Sequence, residues 1–201
     1  MVAATWITRS DLPGLACPYC GRQVDPRTEW AVAAQQAWGR VGVAVSEGDT
    51  TLGLLLLAPI ESARAAMVMT LWVAPEHVRQ GHGRRLVQAT ASGMLARDVH
   101  AVLARGSRAK QSCTVPPGDF LKAVGFLRGL DEQWVTSLRS SPQSGLDGLA
   151  HGDPAKLRRL YRLDLDQTVT ERPGLFEVLG RWVGSIRQVR PQPAGRVSRQ
   201  G

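Results

Sequence analysis

Two glycines and a cluster of arginines mark one short stretch that could bind an anion. Gly81 and Gly83 follow an apolar run that stops at Pro75, and a segment with helical spacing begins close behind them. Glycine lets the backbone approach a ligand closely, and the free N–H groups of a first helical turn attract negative charge. Cationic side chains lie beside them at Arg79, Arg84 and Arg85. The predicted ligand is a diphosphate.

Two common phosphate-binding motifs do not fit this stretch. A Rossmann motif requires a third glycine three residues after Gly83, where the chain has Leu86. A P-loop requires Gly-Lys followed by Ser or Thr, which is also absent here. The alternative to ligand binding is that both glycines simply turn the chain between a strand and a helix.

The elements around the loop are predicted from periodicity. Residues 67–73 are apolar and β-prone, and residues 84–96 have the spacing of a helix. The arrangement is therefore a strand, a tight turn and the start of a helix.

This stretch, LWVAPEHVRQGHGRRLVQA, resembles the acetyl-CoA signature of the GNAT superfamily of N-acetyltransferases. Gly81 and Gly83 match its two small positions, and Pro75 matches the usual proline after the strand. The first motif residue, usually Arg or Gln, is Val78 here, with Arg79 displaced by one. Because main-chain N–H groups do most of the pyrophosphate binding, this departure weakens the match without breaking it.

A second stretch, DFLKAVGFLRG at residues 119–129, resembles a later helix and strand of the same family. Gly125 is expected just after the helix, and Phe126 is expected to begin the strand. The resemblance implies a mixed α/β (α+β) fold with a mostly antiparallel sheet, a splayed central pair of parallel strands and flanking helices.

The resemblance also implies acetyl-CoA as cosubstrate and a primary amine as acceptor. In the family the pantetheine arm pairs with main-chain groups of the fourth strand, here Leu71 and Val73. The expected cofactor-binding residues are Leu71, Trp72, Val73, Val78, Arg79, Gln80, Gly81, His82, Gly83, Arg84 and Arg85.

The catalytic residues are not evident. The predicted fourth strand has no carboxylate, and the tyrosine that many family members carry is replaced by Leu121. Neither Tyr19 nor Tyr161 matches that position. Candidates for proton transfer are Cys113, Ser112 and Glu76. The missing groups leave open a non-catalytic acyl-CoA-binding or regulatory module.

The sequence Cys17-Pro-Tyr-Cys20 resembles a glutaredoxin active site and also half a zinc knuckle. A structural zinc site needs four ligands, and the only other cysteine is Cys113. We expect reduced thiols and no metal. A metal site that includes these three cysteines and a histidine, or a redox pair, is the alternative.

The chain has 201 residues, which is enough for one domain with appendages. Residues 1–170 are predicted to form the GNAT-like domain, with the core motif at 67–130. An amphipathic helix is predicted at 171–187, and a disordered basic tail at 188–201.

Further elements are predicted within the domain. They are a first strand at 5–9 followed by a helix start at 10–13, a helix at 25–38 with Asp25 as its N-cap, a hairpin of strands 41–45 and 52–57, a fifth strand at 98–106 parallel to the fourth, and a final strand at 161–169 on the sheet edge beside Phe126.

The net charge is +8, and the pI is about 10.4. Such a charge favours acidic partners, but the arginines are scattered and few aromatic residues lie among them. Nucleic-acid binding is therefore the less favoured alternative. No apolar run is long enough to span a membrane, and no signal peptide is evident. We expect a cytoplasmic protein, and a homodimer is compatible with the amphipathic C-terminal helix.

Overall fold

Largely apolar stretches of the chain form one seven-stranded sheet. The computed structural model describes residues 1–60, 64–107, 115–129 and 160–165. The strands in chain order are β1 (Val2–Ile7), β2 (Gly42–Glu47), β3 (Thr50–Ile60), β4 (Ala65–Val73), β5 (Ala101–Arg105), β6 (Leu127–Arg128) and β7 (Leu160–Asp164). Their order across the sheet is β1-β2-β3-β4-β5-β7-β6.

Helices cover both faces of this sheet. In the described part of the chain the α-helices are α1 (Glu29–Trp38), α2 (His82–Leu95) and α3 (Gly118–Ala123), and two 3₁₀ helices span Arg9–Gly14 and Pro75–His77. Ala31 of α1 packs in a cluster with Leu54, whereas Leu86 of α2 packs in another with Leu55. Because successive strand residues point to opposite faces, α1 and α2 lie on opposite sides of the sheet.

The predicted hairpin is confirmed as β2 and β3. Its turn contains Gly48 at φ +56°, a left-handed conformation that glycine adopts without strain. The strand after the turn is buried on both faces from Leu52 to Ala58, because both helical layers cover it. The hairpin therefore contributes a strand that is buried over most of its length beside β4.

The splayed parallel pair is also confirmed. β4 and β5 pair in parallel through only three residue pairs, from Ala65 with Ala101 to Met67 with Leu103. β4 then continues to Val73, so the described part of β5 does not pair with its second half. Among the residues that the structure describes, no strand therefore pairs with the second half of β4 on the side that faces β5, and this edge is here called the slot.

Three predicted elements require correction. α1 begins at Glu29, because the Asp25 carboxylate accepts the N–H of Arg27 in a separate turn instead of capping the helix. β7 lies between β5 and β6, not at the sheet edge, and β6 is the edge strand there. β1 begins three residues earlier than predicted and ends at Ile7.

Some predictions fall outside the described residues. These are the C-terminal helix at 171–187, the basic tail at 188–201, and the part of the final strand beyond residue 165. Within the described chain, none of the helices combines the length and the apolar character that a membrane span requires.

Candidate functional site

The junction between β4 and α2 presents main-chain N–H groups at its surface. Gly81, at φ +85°, is the N-cap of α2, and no side chain caps this helix. The first helical hydrogen bond runs from the N–H of Arg85 to the carbonyl of Gly81, at 3.1 Å. The N–H groups before Arg85 therefore have no acceptor within the helix, and the positive end of the helix dipole lies at the same place.

The two glycines of the loop have different roles. A Cβ atom at Gly81 would have no atom within 4 Å, so this position is open to a ligand. A Cβ at Gly83 would lie 2.9 Å from Cε2 of Phe120 in α3. Gly83 therefore allows α2 to pack against α3, a role that the motif alone does not reveal.

The arginines supply positive charge around this loop. The side chains of Arg79, Arg84 and Arg85 are exposed, and none of them pairs with a carboxylate of the described residues. Arg79 adopts φ +63°, which turns the chain just before Gly81. All three predicted cations therefore surround the start of α2.

His82 contributes no positive charge at neutral pH. Its side chain is only 5 % exposed, and burial lowers the pKa of its imidazole, with Arg85 and His77 lowering it further. The Nδ1 atom of His82 has no hydrogen-bond partner in the described parts of the chain. The positive potential of the loop therefore comes from main-chain dipoles and arginines.

Gln80 stabilises the loop itself. Its Nε2 atom donates to the main-chain carbonyl of Glu76 at 3.1 Å, and its Oε1 atom lies 3.4 Å from Nε2 of His82. Val78, at the first motif position, is 41 % exposed. The side chains of Gln80 and His82 thus support the loop, and its main chain is left to face solvent.

The main chain at the end of β4 points into the slot. Val73 is opposite Gly53 of β3, and the N–H of Ala74 donates to the carbonyl of Leu52 at 2.8 Å. Val73 and Gly53 therefore form a non-hydrogen-bonded pair of the antiparallel ladder, so the N–H and C=O of Val73 point away from β3. Leu71 is two residues earlier in the same register, so its main-chain groups point the same way.

A bulge in β4 separates this edge from the paired half of the strand. Thr70 is opposite Leu56 and Val68 is opposite Leu57, so Met69 is an extra residue. Beyond the bulge, the side chains of Leu71 and Val73 pack in the α2-facing core. Trp72 is 3 % exposed and packs in the α1-facing core, on the opposite face from its neighbours, as strand alternation predicts.

One contact at this site was missed by sequence reasoning. The hydroxyl of Tyr19 donates a 2.7 Å hydrogen bond to the main-chain carbonyl of Val73. Tyr19 does not match the tyrosine position of the family, where this chain has Leu121, fully buried in the core. No local sequence pattern places Tyr19 at β4, since the contact depends on tertiary packing across 54 residues.

The remaining candidates are dispersed. Glu76 is exposed on the 3₁₀ helix after β4, whereas Ser112 and Cys113 lie outside the described residues. Cys17 is buried in the α1-facing core and Cys20 is exposed, and both are thiols. The described residues contain no group of three or more potential metal ligands.

Comparison with known families agrees with this geometry. The profile of the acetyltransferase (GNAT) family matches residues 9–111, which is more than half of the chain. The chain therefore belongs to the GNAT family of acetyltransferases. No curated protein matches it in a sequence search.

Solved structures share the fold at low sequence identity. Rv2747 from Mycobacterium tuberculosis, in complex with CoA, is 15 % identical with a TM-score of 0.53, over 81 % of this chain and 98 % of that one. The S18-alanine N-acetyltransferase from Escherichia coli is 14 % identical with a TM-score of 0.50, over 86 % and 99 %. The PaiA N-acetyltransferase from Thermoplasma acidophilum, with coenzyme A, is 12 % identical with a TM-score of 0.50, over 82 % and 99 %.

Proposed function

We propose that this protein transfers an acetyl group from acetyl-CoA to a primary amine. The observation that carries the proposal is the continuity of two main-chain features. The slot edge of β4, with Leu71 and Val73, leads through residues 74–81 to the start of α2, where no side chain caps the helix. An extended ligand with amides at one end and a diphosphate at the other fits this order.

Each part of the proposed cosubstrate has a matching group. The amides of the pantetheine arm would pair with the main chain of Leu71 and Val73, as a further strand would. The pyrophosphate would accept hydrogen bonds from the N–H groups of residues 81–84, with the three loop arginines adding charge. Val78 would take part through its main chain at the loop surface. Trp72 would only support the site, because its side chain is buried against α1 and its main chain pairs with Leu54 of β3.

The proposed reaction is direct transfer. The amine nitrogen attacks the thioester carbonyl carbon, the new C–N bond forms, and the C–S bond breaks. The nitrogen loses one proton, and the departing CoA thiolate takes one up. Glu76, Ser112 and Cys113 remain the proposed groups for proton transfer, with water as an alternative carrier.

A second function is favoured by specific residues. Leu121 is apolar and fully buried where many family members carry a tyrosine, and β4 contains no carboxylate. These features suit a module that binds acyl-CoA without transferring the acyl group. Because acetyl-CoA is the proposed ligand in both cases, we propose the cytoplasm as the place where the protein acts.

Thiol release separates the two functions. The purified chain is first titrated with acetyl-CoA by calorimetry, and the same sample is then mixed with small amines, amino sugars and peptides with free N-termini. We expect saturable binding, and thiol release that depends on one class of amine. A reaction without amine is the control for thioester hydrolysis. Binding without release across the panel would support the non-catalytic module, and absence of binding would refute both.

A further inference from the structure

Residues 17–21, which include Tyr19, form a turn that main-chain hydrogen bonds fix in place, and it is here named the cysteine turn. Ala16 and Gln23 pair as an antiparallel bridge at its base. The N–H of Cys17 donates to the carbonyl of Arg22 at 3.0 Å, and the N–H of Gly21 donates to the carbonyl of Cys17 at 2.8 Å. Cys17 is 8 % exposed and packs in the α1-facing core. The position of the turn is therefore determined by the fold.

Tyr19 extends from this turn to the mouth of the slot. Tyr19 is 42 % exposed, so it is only partly buried. Its hydroxyl lies 2.7 Å from the carbonyl oxygen of Val73, which points away from β3 and towards the slot. A donor from the protein thus already occupies a carbonyl that an added strand would use.

We propose that Tyr19 competes with the pantetheine arm of acyl-CoA for the carbonyl of Val73. This inference rests on the proposed function. A pantetheine N–H would have to bring its nitrogen within about 3 Å of that oxygen, close to where the Tyr19 oxygen lies. Binding then exchanges one hydrogen bond for another, and the Tyr19 side chain rotates towards solvent. No covalent step is involved.

The competition lowers affinity for ligands that have the arm. Removing the hydroxyl leaves the Val73 carbonyl available and retains the aromatic ring. Because an exchanged neutral hydrogen bond changes an equilibrium only modestly, Tyr19→Phe should bind CoA about two- to tenfold more tightly. Adenosine 3′,5′-bisphosphate contains the nucleotide without the arm, so its affinity should be unchanged.

The experiment measures dissociation constants of both ligands by calorimetry for the wild type, Tyr19→Phe and Cys20→Ser. Cys20→Ser is the matched control, because it alters an exposed residue of the same turn and retains the tyrosine hydroxyl. We expect tighter binding only for CoA and only in Tyr19→Phe.

Three results would overturn the inference. They are an unchanged CoA affinity in Tyr19→Phe, a weaker one, or an equal gain for both ligands. Each of these leaves the proposed function intact, provided that the wild type binds CoA. A wild-type protein that binds neither ligand would instead refute the proposed function.

Discussion

The loop at residues 78–83, here the cofactor loop, and the cysteine turn both lie near the end of β4, but they present different kinds of groups. The cofactor loop exposes main-chain N–H groups, and Gly81 lets it do so at φ +85°. The cysteine turn reaches the carbonyl of Val73 with one side chain, Tyr19. Recognition by the main chain leaves a local pattern of glycines in the sequence. A side-chain contact brought about by tertiary structure leaves none.

The largest expected effect tests the main-chain half of this comparison. Gly81→Glu places a carboxylate where the pyrophosphate is proposed to bind, and it fills open space beside the helix start. We expect CoA affinity to fall by about 100-fold or more, since several charge-assisted hydrogen bonds are lost. Calorimetric titration measures the change.

Gly39→Glu is the matched control for that substitution. Gly39 is also left-handed, at φ +68°, with no atom within 4 Å of an added Cβ, and it caps the end of α1 instead of the start of α2. Both variants should lose a similar stability, about 1–2 kcal/mol, because a side chain disfavours this conformation. Equal losses of CoA affinity in the two variants would contradict the assignment of the cofactor loop.

A smaller effect distinguishes the contribution of the arginine charges to CoA affinity from that of the main-chain N–H groups. Replacing Arg84 or Arg85 by Gln should weaken CoA binding about three- to tenfold at low ionic strength, and less at high salt, because exposed charges are screened. Arg27→Gln, an exposed arginine before α1, should leave the affinity unchanged. A loss for Arg84→Gln that does not respond to salt would argue against a charge contribution.

The smallest effect concerns His82. Burial lowers the pKa of its imidazole, so the unfolded chain binds a proton more readily than the folded one. The free energy of unfolding should therefore decrease as the pH drops below about 6.5, the usual pKa of histidine. Above that pH, the contribution of the neutral His82 side chain to stability should be fully present. The variant His82→Gln has no imidazole at this position, so this pH dependence of stability should be absent from it. Thermal unfolding at about pH 7.5 and pH 5.5 should show a smaller decrease in Tm for the variant than for the wild type.

The fold could be predicted to a large extent from local patterns. The hairpin turn at Gly48, the apolar run of β4 and the helix after Gly81 each have strong local signals, and the structure contains all three. The parallel pairing of β4 with β5 followed from the helix between them together with the family resemblance.

What sequence reasoning missed depends on competition between local and tertiary interactions. Asp25 has the features of an N-cap, but its carboxylate forms a turn with Arg27 and the helix begins at Glu29. β7 enters the sheet beside β5, and no local pattern distinguishes that position from the edge. The contact of Gly83 with Phe120 likewise requires α3 to be in place.

The most direct test of the central claim is an amide NMR titration of the uniformly ¹⁵N-labelled protein with CoA. We predict that the largest shifts fall on two groups of main-chain amides. These are residues 81–84 at the start of α2, and Leu71 and Val73 along the slot. The amides of α1 should be largely unaffected. Saturable binding with its largest shifts at α1 or the Arg9–Gly14 helix, and none at Gly81, would contradict the account.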